Sequence, residues 1–344
     1  FSYDNWGGYN LLVKLNQRNP AVKDYICDVI RFWVSEFDID GIRLDAADVL
    51  DFDFMKTLRQ TANEVKPEFW LMGEVIHGDY TRWVNEGTLH SVTNYQLHKA
   101  LYSGHNDHNY FEIAHTVRRL YEMGGNRPDG LKLYNFVDNH DVERIYTKLQ
   151  NKAQLFPVHV LLYTLPGIPS IYYGSEFGIE GKKERYSDDS LRPALQLADY
   201  KNAATENPCT RLITALGKIR QQTRALSLGD YKELLLTNRQ YAFSRDLNGT
   251  SVVVTVNNDE NPAQIHVAAW PNGCPGHSWQ NVSCGKTSIG HKAAITAGKV
   301  LCAAAIDLLK QPELIAAAKT EFAGRTAEGY TCPIPPEAVP TIPD

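Results

Sequence analysis

Residues 38–45, Asp38-Ile39-Asp40-Gly41-Ile42-Arg43-Leu44-Asp45, are a turn that runs into a short strand and ends on a carboxylate. Ahead of them apolar residues recur at Val22, Ile26, Val29, Ile30, Trp33, Val34 and Phe37, the spacing of a helix over 21–37. Pro20 is placed as a first-turn residue of that helix. The same alternation continues downstream. A helix is expected over 54–65, a strand over 69–75, a strand over 91–95, a helix over 113–122 and a strand over 131–137. A helix over 155–163 and a strand over 170–173 follow, which brings the strands to five. Strand and helix in strict alternation predict a parallel sheet with crossover helices. A helix over 210–226 closes this region.

The pattern then changes twice. Short strands over 233–236, 242–245, 252–256 and 264–267 are split by turn residues such as Asn248-Gly249 and Asn257-Asn258-Asp259, and predict an antiparallel β module resembling half of a sandwich. From 269 a loop, Pro271-Asn272-Gly273-Cys274-Pro275-Gly276, leads into alanine-rich helices over 292–309 and 312–322, then a proline-rich end over 333–344. The expected organisation is therefore 1–228, 229–268 and 269–344.

The totals fit a soluble protein. In 344 residues, 43% are hydrophobic and 22% charged, and the net charge of −5 argues against a nucleic-acid or anionic-membrane partner. No apolar run approaches a membrane span, and no signal peptide is visible. The chain opens with Phe1 inside what reads as an ordinary domain, so the natural N-terminus is expected upstream. Cys27 and Cys209 read as buried thiols, and no CxxC pair is present to suggest structural zinc. The missing leader and the scattered cysteines lean towards the cytoplasm. Oligomeric state is not legible.

The chemistry lies in where the carboxylates fall. Asp45, Glu74 and Asp141 each end a predicted parallel strand. In a closed (β/α) barrel those ends converge on one face, where active sites are built. Cleavage of a glycosidic bond with retention needs two carboxylates about 5–5.5 Å apart, one attacking and one protonating. A third carboxylate can favour the positively charged transition state. Arg43, two residues before Asp45, points to the same side of its strand and can keep the nucleophile ionised and oriented. A single Asp at a strand end is ordinarily a cap. Three on successive strands, with Arg and His beside them, point to catalysis.

These residues also carry a resemblance. Gly41-Ile42-Arg43-Leu44-Asp45-Ala46-Ala47 is similar to the nucleophile strand of the α-amylase family of glycoside hydrolases. Gly73-Glu74-Val75 resembles its acid/base strand, and Phe136-Val137-Asp138-Asn139-His140-Asp141 its transition-state-stabilising strand. The segment 167–176, Gly-Ile-Pro-Ser-Ile-Tyr-Tyr-Gly-Ser-Glu, resembles the eighth strand. Leu12-Val13-Lys14-Leu15-Asn16 resembles the end of the family's small inserted domain, with Val13 where Pro is usual. The resemblance implies an α/β fold: a partial (β/α)8 TIM barrel holding strands 4–8, without the first three. It makes Asp45 the nucleophile, Glu74 the acid/base and Asp141 the stabiliser, acting on α-linked glucans or maltooligosaccharides. Arg43 and His140 would hold the nucleophile or sugar hydroxyls, and Asp188 and Arg192 resemble a pair that grips the sugar. No cofactor and no metal are implied. Trp6, Trp70 and Tyr95 are aromatic candidates for stacking on sugar rings, with core packing as the alternative.

The tail resembles something else. Pro275-Gly276-His277-Ser278-Trp279-Gln280, Ser288-Ile289-Gly290-His291-Lys292 and the segment 330–336 are similar to the C-terminal end of metal-dependent amidohydrolases of the aminoacylase and aminobenzoyl-glutamate hydrolase kind. His277 matches a metal ligand there, but the rest of that ligand set is absent, and a metal site needs several converging ligands. Two rival readings follow: an amylase-like module that binds glucan without turnover, and a metallo-amidohydrolase fragment.

Overall fold

The computed structural model describes residues 3–123, 131–263 and 311–325. The chain divides into two compact units, Phe1–Ala268 and Ala269–Asp344. In the first, an antiparallel hairpin, β1 (Asn5–Trp6) and β2 (Tyr9–Val13), turns through Gly7 and Gly8, both at positive φ. Helix α1 (Pro20–Phe37) follows. The Asn19 side chain caps it by accepting from the Ala21 amide, and Asp38 ends it in the left-handed region. Lys66 pairs with Asp38 at 2.7 Å and Asp40 at 2.6 Å, pinning the turn that the sequence placed here.

Strand β3 (Gly41–Leu44) then pairs in parallel with β4 (Trp70–Gly73), and α2 (Phe52–Val65) crosses between them. A Cβ on Gly41 would lie 2.4 Å from the Trp70 carbonyl oxygen, so the close approach of the two strands requires glycine. Strand β5 (Ser91–Val92) adds to β4, and a parallel bridge from Thr93 to Tyr134 carries the sheet on to β6 (Tyr134–Asn135). Helices α3 (Tyr95–Asn106) and α4 (Tyr110–Glu122) lie between β5 and β6. After α5 (Ile145–Lys148) and α6 (Leu155–Thr164), β7 (Ile168–Pro169) pairs in parallel with β6. Five parallel strands in chain order, with helices crossing between them, make an open arc. Among the described residues no ladder returns β7 to β3, so a closed barrel is not formed there.

Three expectations need correction. The last parallel strand lies on 168–169 rather than 170–173, and its pairing ends where the Ser170 amide donates to the Asn135 carbonyl. Pro169 fits because β7 is an edge strand, where a missing N–H breaks no ladder bond. Helix α3 was not anticipated. The helix expected over 210–226 is two pieces, α8 (Pro208–Gln222) and α9 (Arg224–Leu228), which follow the short α7 (Ala203–Glu206).

The closing sheet has the order β10-β9-β8, with β8 (Asp230–Leu236), β9 (Gln240–Leu247) and β10 (Thr250–Asn257) all antiparallel. Its Tyr241, Phe243, Val254 and Val256 join one buried cluster with Leu97, Ile113, Val158 and Leu161 of the preceding helices. A second cluster under the arc packs Cys27 and Ile30 of α1 against Met55 and Leu58 of α2 and Leu71 of β4. Cys27 and Cys209 are both buried free thiols. In the second unit the described residues form one helix, α10 (Pro312–Arg325). The fourth expected β strand, the helix over 292–309 and His277 lie outside the described residues. No described helix is long and apolar enough to cross a membrane.

Candidate active site

The β3–β4 ladder runs one step past both strands. The Glu74 amide donates to Leu44 O at 2.9 Å and the Ala47 amide to Glu74 O at 2.8 Å, which delivers Asp45 and Glu74 to the same end of the sheet. Between these bonds Ala46 turns the chain at φ 41°, in the left-handed region. Its amide is aimed at Glu74 and donates to Oε2 at 3.2 Å.

One guanidinium grips both carboxylates. Arg43 Nη1 lies 2.9 Å from Asp45 Oδ1, and Nη2 lies 3.0 Å from Glu74 Oε2. Asp45 is open to solvent, its side chain 80% exposed, whereas that of Glu74 is 13% exposed. The other Glu74 oxygen accepts from the Tyr95 hydroxyl at 3.2 Å.

A second cluster forms beyond β6. His140 Nε2 is 3.0 Å from Asp141 Oδ2, and Arg192 Nη2 is 2.9 Å from Asp141 Oδ1 and 3.1 Å from Asp188 Oδ2. Arg192 Nε also donates to His140 O at 3.1 Å. Lys183 bonds Asp188 from the other side and holds that carboxyl below the usual carboxylate range. The seven polar candidates for catalysis and sugar binding thus fall into two groups held by ion pairs and hydrogen bonds: Arg43, Asp45 and Glu74, and His140, Asp141, Asp188 and Arg192.

The loops bearing the second group rest on a buried pair of charges. Asp138 accepts from Ser175 Oγ at 2.7 Å and from the Ile145 amide at 2.7 Å, and burial pushes its carboxyl up to about 6 against those bonds. Arg144 is fully buried and donates to Tyr173 O at 2.5 Å, Leu191 O at 2.8 Å and Ser175 Oγ at 3.1 Å. Its guanidinium carbon sits 4.2 Å over the Tyr172 ring. Neither residue was given a role in the sequence reading. Both serve the loop that carries His140 and Asp141.

Of the aromatic candidates, Trp6 stacks on Tyr9 in the exposed hairpin, their centroids 5.8 Å apart. Trp70 tilts against Tyr134 at 6.2 Å, and the Tyr95 ring packs edge-on to Phe136 at 4.9 Å. The Tyr95 hydroxyl, not its ring, reaches the site. An open cleft of about 750 Å³ lies beside the 3₁₀ turn Ala47–Val49 that follows Asp45; Lys14, Asn16, Arg18 and Val49 are among its lining.

Residues 5–225 match the model of the α-amylase catalytic domain. The chain belongs to the α-amylase family. A cyclomaltodextrinase of Thermoanaerobacter pseudethanolicus is 32% identical over 251 residues, which is 71% of this chain and 42% of that protein. The intracellular maltogenic amylase of Bacillus subtilis is 31% identical over 186 residues, 53% of this chain and 31% of its own. Among solved structures, a cyclomaltodextrinase superposes with a TM-score of 0.67 at 25% identity, over 75% of this chain and 43% of that one. A three-domain cyclomaltodextrin glucanotransferase gives 0.65 at 27% identity, over 74% and 53%. The chain spans less than half the length of the two curated relatives. The α-amylase match ends at 225, so the segment likened to amidohydrolases lies outside it.

Proposed function

We propose that this chain carries the catalytic carboxylates of a retaining glycoside hydrolase acting on α-linked glucans or maltooligosaccharides. The observation that supports it best is the Arg43 fork, whose two terminal nitrogens hold Asp45 and Glu74 at 2.9 and 3.0 Å. Carboxylates gripped by one guanidinium are held close enough to act on one glycosidic bond, as the retaining class requires of a pair about 5–5.5 Å apart. Asp45 attacks the anomeric carbon while Glu74 protonates the departing glycosidic oxygen. Glu74 then takes a proton from water, which displaces Asp45 and regenerates both groups. Asp141 stabilises the cationic transition state, with His140, Asp188 and Arg192 holding it and the sugar. A cytoplasmic setting agrees with the intracellular maltogenic amylase among the relatives.

One observation favours a second reading, an amylase-like module that binds glucan without turnover. The Asp45 side chain is 80% exposed, so nothing in the described structure walls off the attacking group. Release of reducing sugar from maltohexaose, with proton NMR of the first-formed anomer, separates the two. Retention gives the α-anomer, and Glu74→Gln abolishes release. A β-anomer, or full activity in Glu74→Gln, overturns the retaining assignment; glucan binding without release supports the second reading.

A further inference from the structure

The two groups of the site are joined by a path of hydrogen bonds, Glu74–Tyr95–Asn139–Asp141. Asn139 Oδ1 accepts from the Asp141 amide at 2.9 Å and the Val142 amide at 3.2 Å. Those two N–H groups fix the orientation of the Asn139 amide, because only its oxygen can accept them. Its Nδ2 then has to face Tyr95, and donates to the hydroxyl at 3.2 Å. An amide nitrogen cannot accept, so the Tyr95 proton is directed to Glu74 Oε1, 3.2 Å away. The ring is held in place edge-on to Phe136 at 4.9 Å and to His98 at 6.2 Å.

We propose that Tyr95 is the positioning residue of the acid/base carboxylate, with Asn139 orienting its hydroxyl. This rests on the assignment of Glu74 made above. A phenol both donates and accepts. It accepts from Asn139 and donates to Glu74 Oε1 in both states, because the carbonyl oxygen of a carboxylic acid still accepts, which leaves the acid proton on the other oxygen for the leaving group. The same contact therefore persists through both displacements. In the first, the Glu74 proton passes to the leaving oxygen; in the second, a proton of water returns to Glu74. Tyr95 itself neither gains nor loses one. Burial pushes its hydroxyl up to about 12, which keeps it neutral at ordinary pH.

The test compares Tyr95→Phe, Asn139→Asp and the double variant of the full chain. Tyr95→Phe keeps the ring packing and removes the hydroxyl. Asn139→Asp keeps the acceptor for the Asp141 and Val142 amides, but turns the donor into an acceptor that draws the Tyr95 proton away from Glu74. Each is expected to lower kcat on maltohexaose about tenfold or more with KM within about twofold, and the double variant to be no worse than the poorer single one. On α-glucosyl fluoride, whose leaving group needs no proton, the pre-steady-state burst of fluoride, which reports the first displacement alone, should match the parent within about twofold. Equal losses on both substrates would reveal general disturbance and overturn the proposal.

A readout free of turnover is the carboxyl ¹³C resonance of Glu74, assigned by its loss in Glu74→Gln. It is expected to move in Tyr95→Phe, and an unmoved resonance overturns the proposal even in a preparation that cleaves nothing. Should Glu74→Gln keep full activity, the acid/base assignment falls and takes the positioning role with it. Should Glu74→Gln be dead while Tyr95→Phe matches the parent on maltohexaose, only the positioning role falls.

Discussion

Arg43→Met removes the cation shared by Asp45 and Glu74 while keeping most of the side-chain volume. Unit charges about 3 Å apart attract by about 5 kcal/mol at an effective dielectric constant of about 20. The Asp45 contact keeps little of this, because its carboxylate is 80% exposed and solvated. The Glu74 contact keeps more. Glu74 is 13% exposed and Arg43 33%, and breaking a fully buried pair costs about 3–5 kcal/mol. At intermediate burial about 2 kcal/mol is expected. Urea unfolding of the variant should show that loss as a lower midpoint with an unchanged slope. Turnover on maltohexaose should fall about 10- to 100-fold, because each 1.4 kcal/mol of lost transition-state stabilisation is about tenfold. Arg43→Lys sharpens the test. One ammonium cannot fork between two carboxylates, so it should recover part of the stability and little of the rate. A Met variant that matches the parent in both midpoint and turnover would refute the claim that this guanidinium organises the pair.

Gly73→Ala would place a Cβ 2.5 Å from Leu89 Cδ1 and 2.7 Å from Ala47 Cβ, so a loss of about 1–3 kcal/mol in urea unfolding is expected. Asp138 gives a pH signature. Its folded carboxyl, at about 6 against 3.8 for the free group, binds its proton more tightly than the unfolded chain does. That contribution is complete below about pH 4 and is lost as pH rises through 6, about 3 kcal/mol in all. Asp138→Asn cannot titrate, so its stability measured from pH 4 to 7 should lack that fall; parallel curves for parent and variant would count against the assignment. Arg192→Gln removes partly exposed contacts to Asp141, Asp188 and His140. Its melting temperature should stay within a degree or two while turnover falls.

Asp45 and Glu74 were legible because each directly follows a short, mostly apolar strand, whereas Asp141, expected at a strand end, lies on the loop beyond β6, which stops at Asn135. The two-residue spacing put Arg43 and Asp45 on one side, and the structure has them 2.9 Å apart. What the sequence could not show is the second half of the fork. The reach from Arg43 to Glu74 depends on the register of β3 against β4, where Arg43 faces Met72, and no local pattern encodes that. Helix α3 was hidden by its histidines. Leu97, Ala100 and Leu101 are buried at helical spacing, but His98 and His105 share their face and break the apolar stripe. Burial lowers both imidazoles to about 4, so they stay neutral and pack as core. The Tyr95 hydroxyl escaped for a related reason, since an aromatic beside a strand end is read for its ring. Asn139 offered one clue, as an Asn two residues before Asp141 is placed to accept that residue's amide in a turn.

Ala46 has a consequence for how this site can change over generations. A left-handed alanine carries about 1 kcal/mol of steric penalty that glycine would not. Glycine, however, gives the unfolded chain extra freedom worth about 0.4–1 kcal/mol in the opposite direction. The two nearly cancel, so Ala46→Gly is close to silent for folding. It is not silent for the peptide that donates to Glu74, because glycine admits a wider range of backbone angles than alanine does. Selection for a folded protein is therefore nearly blind to this exchange, and what it changes is the aim of the amide at Glu74.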